Sequence, residues 1–230
     1  MPTLLSLAVY DHLTNGVDIG AYAVQLQLED AIRALLATDY PQLQELRCTP
    51  SVLPAFLPPH SSGDGRLIRK VALNSWSPQN YWTTLSAWPV VARALRSLPQ
   101  SGGPVRDLTI EAGVFRWRDL VDDGGPYMAS FNRLVLILYV ALEDEIMLER
   151  LGEELFAHTP HLHIFRISDV RRKRENASFL FDFAKDHARQ LYWLKTWQAH
   201  APSLRTVAFT DDFAWVRVGE KGWEMSPHVA

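Results

Sequence analysis

Hydrophobic positions along this chain recur in a short asymmetric pattern: an apolar residue, a second three positions later, and a third two positions after that. The pattern occurs seven times, as Leu4, Leu7, Val9; Leu43, Leu46, Cys48; Ile68, Val71, Leu73; Val105, Leu108, Ile110; Phe131, Leu134, Leu136; Leu162, Phe165, Ile167; and Leu204, Val207, Phe209. Pro2, Pro41, Pro160 and Pro202 each stand two residues ahead of a copy. The last two apolar positions of a copy point to one side of a strand while the residues between them point to the other. The first apolar residue turns the chain inward. A proline just ahead ends a preceding helix and opens an extended segment, because the residue before proline is pushed out of the α region. Each copy therefore predicts the start of a half-buried strand.

Amphipathic stretches of helical period fill the intervals: Val24 to Thr38, about Leu85 to Leu98, where Pro89 lies in the first turn or breaks the helix, Glu143 to His158, and Ser178 to His200, which Ala201-Pro202 terminates. Strand and helix in alternation, with one short strand per copy, predict an α/β fold of solenoid type: about seven short parallel strands in one sheet, with helices on its outer face. An open doubly wound α/β sheet is the competing arrangement. It is disfavoured because every strand repeats the same pattern and none is followed by the glycine-rich turn of a dinucleotide or phosphate site. The expected organisation is a single domain over 1–230, closed by an aromatic cap at about 211–230. In that cap Phe213, Trp215, Val216 and Trp223 supply apolar area and Gly219 and Gly222 bracket a turn.

The pattern Pro-x-Leu-x-x-Leu-x-Val resembles the leucine-rich repeat, in the irregular long-unit form found in the C-terminal halves of F-box proteins. Its copies start 39, 25, 37, 26, 31 and 42 residues apart, mostly longer than the roughly 20 to 29 residues of regular leucine-rich repeats. The segment Ala201-Pro-Ser-Leu-Arg-Thr-Val-Ala-Phe-Thr, followed by Trp215 and Trp223, is similar to the last repeat of fungal, mushroom-type F-box proteins. The resemblance implies a substrate-receiving repeat surface and, in the family, a separate N-terminal F-box that docks on a ubiquitin-ligase adaptor. Here the first copy follows Pro2 directly, and Leu57-Pro58-Pro59-His60 is a proline-rich loop and not an F-box start. Adaptor binding is thus expected only if an F-box is present upstream.

With the triads facing inward, the residues two, four and six after each first apolar position lie on the open side of the sheet. They carry charges of both signs with small residues between, a composition suited to a protein partner anchored by a few arginine or tyrosine side chains. Tyr10, Arg47, Asn74, Glu111, Arg133 and Arg166 are the expected partner-binding residues.

Composition and charge exclude several other readings. Lysine and arginine number 23 against 26 acidic residues, a net charge of -3, so the electrostatic footprint of a nucleic-acid binder is missing and nucleic acid is not an expected partner. The single cysteine, Cys48, supports neither an internal disulfide nor a multi-cysteine zinc site and favours a reducing compartment, cytoplasmic or nuclear. The longest apolar run, the nine residues Leu134 to Leu142, is about half of a membrane span, and the N-terminus has no basic leader, so no membrane association is expected.

Sharper chemistry is not found. His158, His161 and His163 lack a third acidic or cysteine ligand nearby and read as structural. The basic run Arg171 to Arg174 reads as a solvated loop, with nuclear import or phosphate contact as the alternative. Ser62 to Gly65 and Ser101 to Pro104 are glycine-containing loops ahead of strands, the wrong side for phosphate held at a helix start. Asp122-Asp123 and Asp211-Asp212 read as loop or helix-start residues. No catalytic residue, metal or cofactor is expected, and the chain reads as a non-catalytic protein-interaction module. The alternative is a small α/β enzyme with its site at the C-terminal strand ends, near Asn74, Glu111, Ser168 and Asp169.

Overall fold

Strands form at all seven copies of the pattern, and every one begins two residues after the first apolar position. They are β1 (Ser6–Val9), β2 (Glu45–Cys48), β3 (Lys70–Asn74), β4 (Asp107–Ala112), β5 (Arg133–Leu138), β6 (Ile164–Asp169) and β7 (Thr206–Ala208). The computed structural model describes residues 6–9, 43–50, 52–57, 67–74, 88–112, 117–138, 146–169, 182–183, 185–210, 212–219 and 222–227. From the second copy to the seventh, every triad side chain is buried, none more than 3% exposed. Removing a leucine- or phenylalanine-sized side chain from water is worth about 1.5–3 kcal/mol, so the triads are the main drivers of folding. The result is a mixed α/β protein whose chain divides into two compact units, Met1–Ile110 and Glu111–Ala230.

In the first unit the strand order is β1-β2-β3-β4. Strands β1, β2 and β3 pair in parallel, and the register lays one copy upon the next: Leu7 opposite Leu46 and Val9 opposite Cys48, then Leu46 opposite Val71 and Cys48 opposite Leu73. One repeated backbone contact holds this register. The carbonyl after the first apolar residue of a copy accepts two N–H groups from the next copy. Gln44 thus accepts from Arg69 (2.9 Å) and Lys70 (3.0 Å), and Arg69 accepts from Arg106 (2.8 Å) and Asp107 (3.0 Å).

Helix α1 (Leu53–Phe56) and helix α2 (Trp88–Ser97) belong to this unit, and a tight helical turn, Leu98–Gln100, continues α2. Val91, Ala92, Ala94, Leu95 and Leu98 are buried while Arg93 and Arg96 are exposed, the one-sided spacing the sequence pattern anticipates. Pro89 occupies the second position, where its missing N–H would have no intrahelical acceptor. Ser101 Oγ then donates to the Ile68 carbonyl (3.2 Å) and ties the chain leaving the helix to the foot of β3. The stretch Val24 to Thr38 lies outside the described residues, as do Ser62 to Gly65.

The second unit repeats these devices. Strands β5, β6 and β7 pair in parallel, with Leu134 opposite Phe165, Leu136 opposite Ile167, and Phe165 opposite Val207. Asn132 accepts from His163 (2.8 Å) and Ile164 (3.0 Å), and His163 accepts from Arg205 and Thr206 (both 2.9 Å). The series then reverses direction, because the next carbonyl, Arg205, accepts from Arg217 (2.8 Å) of an antiparallel strand. Strands β8 (Phe213–Arg217) and β9 (Trp223–Pro227) follow β7 antiparallel. The sheet is therefore mixed, and the expectation of parallel strands alone is corrected at the C-terminal end. Gly219 (φ 53°) and Gly222 (φ 102°) supply the positive backbone angles of the intervening turn, which Val218 N–H closes on the Gly222 carbonyl at 2.8 Å.

Helices depart further from expectation than strands. Helix α3 (Trp117–Met128) runs through Asp122, Asp123, Gly124, Gly125 and Pro126, a composition that reads as a turn, and so places the Asp122-Asp123 pair inside a helix. Helix α4 (Ile146–Arg150) passes into a π-helical turn, Leu151–Leu155, and a tight turn, Phe156–His158. Helix α5 (His187–His200) is shorter than the stretch Ser178 to His200. Asp186 caps it, accepting from Arg189 N–H at 3.0 Å.

An aromatic cluster packs these helices on the sheet. Trp197 of α5 meets Phe156 and Phe165 edge to face, at centroid distances of 5.3 and 6.2 Å, and Phe156 meets Phe165 at 5.2 Å. The Trp197 indole N–H donates to the Leu148 carbonyl (2.9 Å), so the large ring is fixed in place as well as buried.

Gly152 in the π-helical turn permits the close approach of that ring. A Cβ at this position would lie 2.8 Å from Trp197 Cδ1. Gly152→Ala sets a helix-propensity gain of about 1 kcal/mol against overpacking of about 1–3 kcal/mol, and Trp197 has no free side to move toward. The variant is expected to be less stable by up to about 2 kcal/mol, seen as an earlier midpoint in urea unfolding. A midpoint at or above that of the parent chain would show that the ring relaxes freely.

Candidate partner-binding face

In the described strands the residues that alternate with the triads form a second face, half-buried or exposed at most positions and buried at Val135 and Ala208. In the first unit this face carries Glu45 and Arg47 of β2 and Lys70 and Ala72 of β3, with Glu45 opposite Lys70 and Arg47 opposite Ala72. Arg47 Nε lies 3.4 Å from Glu45 Oε1, a loose pair with the arginine side chain 58% exposed. An exposed pair of this kind contributes little to stability and leaves Arg47 available to solvent. Tyr10 lies outside the described residues. Of Asn74, which ends β3, the backbone alone is described.

The second unit gathers its open-face residues more closely. Arg133 begins β5 and is opposite Ile164, which is opposite Thr206, which is opposite Val216. Two residues along, Arg166 is opposite Ala208, and the same register carried on by one residue sets Ala208 beside Ala214, itself opposite Ser226. Two methyl side chains next to each other leave a hollow that their larger neighbours frame. It is a cavity of about 340 Å³ lined by Arg133, Ile164, Arg166, Thr206, Ala208, Ala214, Val216, Ser226 and Pro227, with Phe165 beneath. Arg133 and Arg166 are both half-buried, and the Nε atom of Arg166 is buried. Among the described residues no carboxylate lines the cavity.

Opposite faces of the same hairpin do different work. Trp215 and Trp223 turn to the helix side and are buried, 5% and 7% exposed. The Trp215 indole donates to Gln190 Oε1 (2.6 Å), whose amide donates onward to the Phe183 carbonyl (2.7 Å); the Trp223 indole donates to Gln198 Oε1 (3.2 Å). These rings close the interior, while Ala214, Val216 and Ser226 face the cavity.

Of the six expected partner-binding residues, the structure brings Arg133 and Arg166 together. It places Arg47 on the open face of the first unit and Glu111, half-buried, in β4. Ala214, Val216, Ser226 and Pro227 were not anticipated. The signal for them was present: Phe213-Ala-Trp-Val-Arg and Trp223-Glu-Met-Ser-Pro alternate on either side of a turn containing two glycines, which is the pattern of a hairpin.

The remaining candidates fall apart from this site. His158 and His161 are exposed and His163 half-buried, and among the described residues no cluster of three or more His, Cys, Asp or Glu could hold a metal. Asp212 N–H donates to Thr210 Oγ1 (3.2 Å), a local turn contact. Arg171 to Arg174 lie outside the described residues. No described helix is long and apolar enough to cross a membrane. The chain matches no protein-family model, no curated protein and no solved structure, so functional inference rests on this geometry and on the repeated pattern itself.

Cys48 belongs to the interior. It is fully buried in β2, between Val9 and Leu73 in the parallel register, and burial pushes its thiol up to about 12. A thiol held neutral by burial favours folding below its ordinary pKa of about 8.5, and that contribution fades as pH rises from there toward 12. At pH 8 the folded chain is expected to react with a thiol reagent about a hundredfold more slowly than the urea-unfolded chain. Equal rates would place Cys48 at the surface.

Proposed function

We propose that the chain is a non-catalytic protein-interaction module, a leucine-rich-repeat-like solenoid that receives a protein partner on the open face of its sheet. The observation that carries this reading is the division of labour within each strand. From the second copy on every triad is buried, while the alternate positions carry Arg47, Lys70, Arg133, Arg166 and Thr206, beside the buried Val135 and Ala208. Copies laid in register within each unit, the carbonyl contact repeated from one copy to the next, and short strands joined through helices are what a leucine-rich-repeat architecture requires. The resemblance of the repeated pattern to F-box repeat regions points to a substrate receptor, with the ligase adaptor bound only through an F-box upstream. A cytoplasmic or nuclear location accords with the single buried thiol.

Arginine and tyrosine anchors dominate most protein interfaces, with a few positions accounting for most of the affinity. Replacing Arg47, Arg133 and Arg166 together with alanine is therefore expected to weaken capture of the physiological partner by about a hundredfold with the circular-dichroism spectrum unchanged. The measurement is affinity capture from cells that express the chain, with parent and triple variant run in parallel and retained proteins quantified by mass spectrometry. Identical retained sets, with both chains folded, would overturn the assignment of the face.

A further inference from the structure

The strand entries of the first unit carry exposed cations that the fold itself does not use. We infer that this rim docks an acidic segment of a partner polypeptide, with one leucine-sized side chain among its carboxylates, a site that rests on the proposed partner-binding reading and names the partner's chemistry. Arg69 stands just ahead of β3 and Arg106 just ahead of β4, both within the unit Met1–Ile110. The Arg69 carbonyl accepts from Arg106 N–H at 2.8 Å, so the two residues lie side by side on neighbouring strands, whose spacing is about 4.8 Å. Both side chains are exposed, as is that of Lys70, the next residue along.

Folding does not call for this juxtaposition. The contact between copies is made by backbone groups and does not depend on the side chains, whereas like charges set opposite each other across strands cost stability. Among the described residues, none of Arg69, Lys70 and Arg106 has a side-chain hydrogen bond or ion pair. The acids in neighbouring register positions leave them unanswered: Glu45, opposite Lys70, pairs loosely with Arg47 Nε at 3.4 Å, and Asp107, next after Arg106, is half-buried. At the same offset the other copies carry Leu5, Gln44, Asn132, His163 and Arg205, and no copy carries an acid although the chain has 26 of them.

An apolar anchor lies beside the pair. Leu67, immediately ahead of the third triad, is 51% exposed. A Cβ on Gly103 would lie 3.0 Å from Leu67 Cδ2, so the leucine rests on the bare backbone of the segment that leads to Arg106. Each guanidinium presents a planar fork of N–H donors matched to a carboxylate, and the leucine offers area that an apolar side chain of the partner can cover. Glu45 and Asp107 on the adjoining strand positions repel a continuous phosphate backbone, which favours a polypeptide with spaced carboxylates over nucleic acid.

The test is a titration of the full chain, labelled with nitrogen-15, with N-acetyl-Glu-Glu-Leu-Glu-Glu-amide at low ionic strength, followed by backbone amide shifts. Saturable shifts are expected at Leu67, Arg69, Lys70, Gly103 and Arg106. Affinity should fall about tenfold or more when glutamine replaces glutamate throughout the peptide, and equally in the double variant Arg69→Gln, Arg106→Gln. Leu67→Ala should cost about threefold. Arg150→Gln with Lys195→Gln, which removes the same charge from exposed positions of the second unit, should change affinity less than about twofold. Thermal unfolding checks that each variant folds, and the glutamine peptide tests the parent chain without any substitution.

Equal binding of the glutamate and glutamine peptides would overturn the inference, as would saturable shifts confined to other surfaces or the absence of saturable shifts. Equal losses in the two double variants would reduce the association to net charge and overturn it as well. Tighter binding of an oligothymidine than of the glutamate peptide in the same salt would assign the arginines to phosphate instead. The broader reading fails separately. If the glutamate peptide binds at this rim while the variant lacking Arg47, Arg133 and Arg166 still captures the same proteins, the rim stands and the open face falls; if that variant loses its partners while the peptide does not bind, the face stands and the rim falls.

Discussion

Register between successive copies of the apolar triad governs this molecule. A strand has a side-chain period of two, so a slip of one residue would carry Leu46, Cys48, Val71 and Leu73 from the interior to solvent and bring Arg47 and Lys70 in. Two features prevent the slip in each unit. The triads match their neighbours position by position, Leu46 with Val71 and Phe165 with Val207. The carbonyl after each first apolar residue also collects two N–H groups of the next copy, as Gln44 and His163 do, so the turn into each strand is fixed before the strand itself begins.

That constraint explains why the two faces of the sheet can diverge in chemistry. Once the triads are assigned to the interior, most alternate residues are left at half-buried or exposed positions, where side chains such as Arg47 and Lys70 carry charge at little cost. It also explains how the parallel series stops. A further parallel strand would need another helix, whereas the β8–β9 hairpin satisfies the carbonyl of Arg205 through Arg217. The same hairpin seals the interior with Trp215 and Trp223 through Gln190 and Gln198 and lends Ala214, Val216 and Ser226 to the cavity. One element closes the interior on one side and walls the cavity on the other.

The strands were readable because their signal is local and repeated: each of the seven copies starts a strand at the same offset. The helices were less so. Trp117–Met128 contains two glycines and a proline near its end, poor helix formers, and its helical state reflects packing of residues such as Leu120 and Met128, both fully buried. The π-helical turn at Leu151–Leu155 lies against Trp197, about 45 residues away in sequence, whose ring leaves no room for a Cβ at Gly152. No window of sequence contains both partners.

By itself the sequence determined where strands begin, which side chains enter the interior, and that the alternate positions, Arg47, Arg133 and Arg166 among them, face outward, because the period of a strand ties each of these to its neighbours along the chain. Only the tertiary structure decided that Arg133 and Arg166 share one hollow, that Ala208 and Ala214 adjoin to form its floor, and that the last strands run antiparallel. Those facts depend on which strands lie side by side and in which direction, and hydrogen bonding between segments distant in sequence sets both.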